Sequence, residues 1–210
     1  MKRLMVILTV LSISTLAFTC DKEKKPNDPD LGAAYYYPKN LYYKWTYVRL
    51  GTDCVPGDDS FVVSVAGKST RDVLGVRQSG WDLVTSAASG ATTFVYQVRD
   101  TIFSRDIGSP LNHPSYKVLV GPIKAGTFWR DSFRDYEYSI VGFEDVPSAV
   151  GGGTYHRCAK VKRISRGDYK VNYFWWGPQI GRVKWAEVNQ SGACRRGEEL
   201  RRLDKHPDFP

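Results

Sequence analysis

From Tyr35 to Val188 the chain consists of short runs rich in Val, Tyr, Phe, Trp and Thr, separated by Gly, Pro, Asn and Asp. β-Branched and aromatic residues favour strands, whereas the separating residues favour turns. Strands are predicted over residues 43–50, 60–66, 72–78, 81–86, 92–99, 101–105, 116–120, 128–133, 136–143, 154–165, 169–175 and 182–188. After residue 30, only the region 198–204 has a pattern that suggests a helix. The sequence therefore predicts an all-β domain.

Twelve short strands with hairpin-length connections must close on themselves or stack, because exposed sheet edges pair with other chains. Two architectures remain open: a strongly curved antiparallel sheet that forms a partial or closed barrel, and a two-sheet sandwich. A faint internal similarity is also present. Pro38 lies seven residues before Trp45, and Pro122 lies seven residues before Trp129. This spacing indicates either two similar halves, beginning near Tyr35 and Val120, or two unrelated strand starts.

The N-terminus has the pattern of a secretory signal. Lys2 and Arg3 precede an apolar run from Leu4 to about Phe18, which is too short to cross a bilayer as a stable helix. Cys20 follows directly, so residues 1–19 are predicted to be a lipoprotein signal peptide that forms a helix and is removed before Cys20. The alternative is ordinary cleavage after Ala17, which would release a soluble protein.

Residues 20–34 are rich in Lys, Asp, Asn and Pro and are predicted to be a disordered tether, followed by an all-β domain over 35–210. The formal net charge of the chain is +8, and loss of Lys2 and Arg3 with the signal would leave +6. The basic residues are mostly dispersed, which suits either a solvated surface or attraction to anionic lipid and cell-wall polymers. Nucleic acid is not expected as a partner of an exported chain.

Several short patterns, in order along the chain, resemble a family of bacterial lipoproteins of unknown function. They begin with Tyr36-Tyr37-Pro38 and Trp45-Thr46-Tyr47 and continue with the turn Pro122–Gly126 followed by Trp129. Next come Glu144, Val146, Gly153-Thr154-Tyr155, Cys158 and Val161, and last Tyr173-Phe174, Gly177, Gly181 and Val183-Lys184. The resemblance covers nearly the whole predicted domain.

This resemblance implies an all-β lipoprotein related to the open-barrel carriers of the lipoprotein-sorting, LolA/LolB-like kind, and it implies no known chemistry. The chain departs from the family pattern at three places. Tyr42 stands where the first turn would have Gly, Gly151-Gly152 lengthen the approach to Thr154, and Pro178-Gln179 extend the last hairpin.

The chain offers little for catalysis. His156 and Cys158, two residues apart in a predicted strand, are the one local pair that could act as a thiol-imidazole pair or as half of a metal site. A buried structural cysteine beside a surface histidine explains the same pattern. The sequence has no serine-hydrolase elbow, phosphate loop or HExxH motif. We therefore expect a protein that is not an enzyme, with no catalytic residue, metal or cofactor.

Beyond Cys20 the chain has three cysteines, Cys54, Cys158 and Cys194, and an exported domain meets oxidising conditions. Cys54 and Cys194 both stand among turn-forming residues at either end of the β region. We predict that these two form a disulfide and that Cys158 is a buried thiol, although three thiols allow three pairings.

The predicted function is a membrane-anchored, non-enzymatic binding module in the bacterial cell envelope, facing the periplasm or the cell exterior. Its predicted partners are the membrane, through a lipid on Cys20, and a hydrophobic or envelope ligand: a lipid, a glycan or an envelope protein. Tyr and Trp provide large contact areas with a polar group at one end. The candidate contacts are Tyr36, Tyr37, Tyr43, Trp175 and Trp176. Two alternatives remain: aromatic residues packed as ordinary β core, and a structural or protein-interaction component that binds no small molecule.

Overall fold

The computed structural model describes residues 32–37, 43–86, 90–108, 115–150 and 152–204. The predicted signal peptide, Cys20 and most of the predicted tether lie outside these residues. Within the described ranges, no helix is both long enough and apolar enough to cross a membrane.

One antiparallel sheet of twelve strands contains almost all of the regular structure. The strands are β1 (Lys44–Leu50), β2 (Pro56–Val73), β3 (Val76–Thr85), β4 (Thr92–Val98), β5 (Thr101–Asp106), β6 (Tyr116–Val120), β7 (Phe128–Asp131), β8 (Tyr136–Pro147), β9 (Thr154–Ser165), β10 (Val171–Gly177), β11 (Gly181–Val188) and β12 (Cys194–Asp204). A short helix, α1 (Ala33–Tyr36), precedes them, and one turn of 3-10 helix (Thr52–Cys54) joins β1 to β2. The predicted all-β class is confirmed.

The sheet curves until its two edge strands, β6 and β7, approach each other, so that it nearly closes into a barrel. Consecutive strands are hydrogen-bonded neighbours elsewhere, and β1 pairs with β12 in the middle of the sheet. The guanidinium carbon of Arg134 lies 4.0 Å from the centre of the Tyr116 ring, across this seam. Of the two architectures that the sequence left open, the structure forms the barrel.

Two secondary-structure predictions were wrong, one of a strand and one of a helix. The predicted strand 72–78 is a hairpin, because Leu74 and Gly75 have positive φ angles of 52° and 81° and reverse the chain between β2 and β3. Asp72 caps this turn by accepting a hydrogen bond from the Gly75 N–H at 2.8 Å. The region 198–204 belongs to β12, not to a helix, since it fills the place between β1 and β11.

Because the chain is a meander, its turns alternate between two ends of the barrel. Strands β1, β3, β5, β7, β9 and β11 run toward one end of the barrel, here called the upper end, and the other strands run toward the lower end. Residues 32–37 pack at the lower end. The Ala33 N–H donates to Asp100 Oδ1 at 2.6 Å, and the Gln179 N–H donates to the Tyr35 carbonyl at 2.8 Å. Ala33 and Tyr36 are fully buried there.

The upper end has the predicted disulfide. Cys54 and Cys194 are bonded, with a Cα–Cα distance of 5.6 Å, and Cys158 is a buried free thiol. The bridge joins the β1–β2 connection to the start of β12, beside the β1–β12 ladder. The predicted pairing is therefore confirmed.

Aromatic residues lie on both faces of the sheet. Trp176 faces the barrel interior, whereas its neighbour Trp175 faces outward and donates from Nε1 to Glu144 Oε1 at 2.5 Å. The far part of the β8–β9 hairpin lies against this outer face. The Tyr155 hydroxyl donates to the Leu200 carbonyl at 2.9 Å, and the Ala149 N–H donates to Glu199 Oε1 at 2.6 Å. Part of the aromatic content therefore holds this hairpin on the outside.

Candidate ligand-binding site

The barrel interior contains a cavity of about 290 Å³, and two kinds of side chain dominate its wall. The aromatic residues include Tyr37, Trp45, Tyr47, Tyr138, Phe174 and Trp176. The cationic residues are Lys117, Arg134, Arg163 and Arg182. No carboxylate side chain is among the described residues that line the cavity. The wall is therefore aromatic with an excess of positive charge.

The aromatic rings near the lower end are fixed by backbone contacts. Trp45 donates from Nε1 to the Ile180 carbonyl at 2.6 Å, and the Tyr47 hydroxyl donates to the Arg182 carbonyl at 2.8 Å. The Tyr37 ring, carried by the N-terminal segment, lies 5.4 Å from the Trp176 ring. Because each of these groups has a partner, this part of the wall is held in place before any ligand binds.

Burial keeps the cavity tyrosines neutral. It raises the pKa of Tyr47 to about 12, against smaller opposing effects from Arg182. It raises the pKa of Tyr138 to about 12 as well, with Arg163 acting in the opposite direction, and it raises the pKa of Tyr37 further. At neutral pH these hydroxyls can therefore donate and accept hydrogen bonds but add no charge.

Arg182 is a compensated cation. Its Nη2 lies 2.6 Å from Glu198 Oε2, and its guanidinium carbon lies 5.1 Å from the centre of the Tyr47 ring. Burial lowers the pKa of Arg182, but Tyr47, Glu198 and Tyr37 together outweigh that effect and raise it. Arg182 is therefore charged, and Glu198 neutralises it locally.

Arg163 lacks such a counter-charge. Its guanidinium carbon lies 4.5 Å from the centre of the Tyr136 ring and 5.0 Å from that of Phe174, so that aromatic faces hold its plane. It also donates to the Tyr138 hydroxyl. Its buried Nε has no acceptor and the side chain forms no ion pair within the described part of the chain.

Arg134 and Lys117 complete the cationic wall from the two sides of the seam. Asp131 Oδ1 accepts the backbone N–H groups of Phe133 and Arg134, at 3.1 Å and 3.3 Å, and so shapes the β7–β8 turn that carries Arg134. Arg134 Nη2 lies 3.5 Å from Asp106 Oδ2. Lys117, on β6, forms no ion pair among the residues that the structure describes.

Of the five predicted aromatic contacts, the structure brings two into this cavity, Tyr37 and Trp176. Tyr36 and Tyr43 are buried elsewhere in the core, and Trp175 lies on the outer face. Whether any of the five contacts a ligand stays a prediction. The cationic lining was not predicted from the sequence, although the alternation of Val161 and Arg163 along one predicted strand puts both on the same face.

His156 and Cys158 do not form a joint site. Their segment bulges at Arg157, which has a φ of 54° and donates its backbone N–H to Asp145 Oδ1 at 2.7 Å. His156 is exposed, with Nδ1 3.0 Å from Asp145 Oδ2, whereas Cys158 is fully buried. Burial raises the pKa of the Cys158 thiol to about 12, so this cysteine is not a thiolate at neutral pH.

No protein-family profile and no curated protein matches the sequence of this chain. Solved structures match its fold. One is a Bacteroides fragilis protein, inferred to be exported and described as having a YmcC-like fold. It is 16% identical over 81% of this chain and 99% of that chain, with a TM-score of 0.51. A Parabacteroides distasonis protein, inferred to be a lipoprotein, is 11% identical over 81% of this chain and 98% of that chain, with a TM-score of 0.41.

At this identity, the similarity to the Bacteroides fragilis protein establishes a shared fold. The motif resemblance to a lipoprotein family, and the relation to LolA/LolB-like carriers, stay predictions.

Proposed function

We propose that this chain is an exported lipoprotein, anchored to a bacterial membrane through Cys20, and that its barrel binds a small hydrophobic or amphiphilic ligand of the cell envelope without transforming it. The observation that carries the binding proposal is the interior cavity of about 290 Å³, with its fixed aromatic wall. The anchoring proposal rests on the charged start, the apolar run and Cys20.

The size of the cavity limits the ligand. Small-molecule sites commonly have volumes of about 300–1,000 Å³, so this cavity is at the lower limit of that range. It suits a compact molecule, or one part of a longer one, with a flat or aliphatic body that contacts Phe174 and Trp176.

Binding without catalysis is favoured by the ionisation of the lining groups. A general acid or base works best when its pKa lies near the ambient pH. Burial holds the pKa values of Tyr37, Tyr47 and Tyr138 far above neutral, so these tyrosines are poorly suited to proton transfer. Arginine side chains stay protonated and bind anions rather than exchange protons.

The location of the N-terminal segment supports one orientation of the anchored domain. Residues 32–37 pack at the lower end, beside Asp100 and Gln179. A tether leading back to Cys20 would therefore hold the lower end toward the membrane. Arg134, in an upper turn, would then face away from the membrane, toward the aqueous compartment.

Native mass spectrometry of the protein purified from its own envelope tests the binding proposal. We expect a bound small molecule that is lost from Thr93→Trp, because Thr93 lines the cavity and an indole would fill it. Thr92→Trp is the matched control, since Thr92 is the neighbouring residue on the opposite face of β4. A wild-type protein that carries no ligand, and gives no thermal shift with envelope extracts, would instead support the structural component without a small-molecule ligand.

Membrane fractionation of Cys20→Ser tests the anchor. The wild type should sediment with membranes. The variant should lack the lipid, and with it the acyl mass on the N-terminal peptide, and should no longer sediment with membranes. Two acyl chains hold a protein firmly at a membrane, whereas one gives marginal binding. A wild-type protein whose N-terminal peptide has no acyl mass would contradict anchoring through Cys20, whatever its ligand.

A further inference from the structure

We infer that the ligand of the interior cavity is an acidic amphiphile, a molecule with a carboxylate or phosphate group on a short apolar body. Lys117, Arg134 and Arg163 would bind the acidic group. This inference rests on the proposed function, because it specifies what the cavity binds.

The charges of the cavity wall are unbalanced. Arg182 has a close carboxylate partner, with Glu198 at 2.6 Å, and Arg134 has a more distant one, with Asp106 at 3.5 Å. Lys117 and Arg163 form no ion pair within the described residues, and no carboxylate side chain lines the cavity there. Both residues are half-buried, and partly withdrawing a charge from water without a partner is unfavourable. An anion in the cavity would supply the missing partner.

Arg163 is held in place by aromatic rings and has an unsatisfied donor. The ring faces of Tyr136 and Phe174 hold the guanidinium at 4.5 Å and 5.0 Å, and its Nε is buried without an acceptor in the described structure. Buried donors normally have acceptors, so an unsatisfied one needs an explanation. A guanidinium presents a planar set of donors that matches a carboxylate or phosphate. The aromatic contacts fix that set before binding, which reduces the entropy lost on association.

Two of the three cations come from opposite sides of the seam between β6 and β7. Lys117 belongs to β6, and Arg134 to the turn after β7, so the two stand on opposite sides of the open seam. Arg134 already bridges that seam through its contact with the Tyr116 ring at 4.0 Å. An anion bound between Lys117 and the arginines would add a second bridge. Binding should therefore stabilise the closed barrel as well as neutralise its wall.

The remaining wall argues for an apolar body on the ligand. Phe174, Trp176 and Val161 line the same cavity as the cations, and Tyr37 closes it near the lower end. A small inorganic anion would leave this apolar surface in contact with water. An eight-carbon chain or a single ring would cover it within the available volume of about 290 Å³.

The test uses calorimetric titration of the full exported protein in nanodiscs of phosphatidylcholine, with empty nanodiscs as blanks. The probes are octanoate, octyl phosphate, octanol and inorganic phosphate. We expect the two acidic amphiphiles to bind at least about tenfold more tightly than octanol or inorganic phosphate. Tighter binding of octanoate would indicate a carboxylate ligand, such as a free fatty acid. Tighter binding of octyl phosphate would indicate a phosphate headgroup.

Substitutions then locate the anion. Arg163→Met and Lys117→Met should each lower the affinity for the tighter-binding acid by about tenfold or more, because charge-assisted hydrogen bonds are lost. The affinity for octanol should stay within about twofold, because the apolar wall remains. Lys162→Met is the matched control, because Lys162 precedes Arg163 on the opposite face of β9 and should change neither. Retained octanol binding also shows that a variant is folded.

Each contrary result has its own meaning. Octanol that binds as tightly as octanoate would overturn the acidic-amphiphile inference and leave the proposed binding function standing. Inorganic phosphate that binds as tightly as octyl phosphate would also overturn it, since the site would then recognise only an anion. Failure of all the amphiphiles to bind would contradict the inference and the proposed function together.

Discussion

Removing the Cys54–Cys194 bridge should destabilise the barrel strongly. The perturbation is reduction of the disulfide, or the double substitution Cys54→Ser and Cys194→Ser. The two cysteines are 140 residues apart in sequence, so the bridge closes most of the domain into one loop. For a loop of that length, the chain-entropy relation gives an upper limit of about 5 kcal/mol of stabilisation, acting mainly on the unfolded chain.

The native structure is already constrained at this point, because β1 pairs with β12 from Lys44 opposite Asp204 to Leu50 opposite Gly197. Loss of the bridge should therefore leave the ladder intact and cost about 2–5 kcal/mol, as in other exported domains. With a urea dependence of about 2 kcal/mol per molar, the middle of the typical range, the midpoint should fall by roughly 1–2.5 M.

The assay is urea unfolding followed by tryptophan fluorescence, with and without a reductant. The double serine variant is the control, and the reductant should not change its midpoint. A wild-type midpoint that stays within about 0.2 M after full reduction, confirmed by thiol counting, would refute the loop-entropy reasoning for this barrel.

Three further predictions concern buried polar groups. Glu199→Ala should destabilise the fold by about 3–5 kcal/mol in urea unfolding, because it leaves Lys184 without its carboxylate partner and the Ala149 N–H without its acceptor. Asp58→Ala is the control, since Asp58 is exposed and its loss should have almost no effect. Trp45→Phe should lower the free energy of unfolding by about 1–2 kcal/mol, since the Ile180 carbonyl loses its donor; an unchanged midpoint would contradict a structural role for that bond. The pKa of Tyr47 and of Tyr138 is about 12 in the folded protein and about 10 in the unfolded chain, so the unfolded state loses protons first. The contribution of these two tyrosines to the free energy of unfolding should therefore be constant below about pH 10 and fall by up to about 1.4 kcal/mol per pH unit per tyrosine between about pH 10 and 12, and Tyr47→Phe should reduce this slope in urea titrations.

The sequence predicts the fold class because β-branched and aromatic residues alternate with turn formers over most of the chain. It fails where a local pattern is ambiguous. Leu74-Gly75 lies inside an otherwise strand-like run, and a leucine with positive φ is not expected from its propensity. The strand β12 contains Glu198, Glu199 and several arginines, so its composition resembles a charged helix, and only pairing with β1 and β11 makes it a strand.

The candidate site was only partly predictable, for a physical reason. Sequence shows that Trp175 and Trp176 occupy adjacent positions, and therefore opposite faces, but it does not show which face encloses the cavity. The cations were missed because Lys117, Arg134 and Arg163 stand in three separate segments, and only the curvature of the sheet brings them around one cavity. The internal similarity has a structural counterpart: Trp45 and Trp129 are each the second residue of the first strand in a six-stranded meander, β1–β6 and β7–β12.

A crystal structure of the protein with a brominated octanoate, whose bromine can be located by its anomalous signal, tests whether the barrel binds acidic amphiphiles. We expect the bromine inside the barrel, near Phe174 and Trp176, and the carboxylate within hydrogen-bond distance of Arg163 or Lys117. A molecule bound only on the outer face, or a cavity that excludes it under saturating conditions, would show that the barrel does not bind acidic amphiphiles in this way.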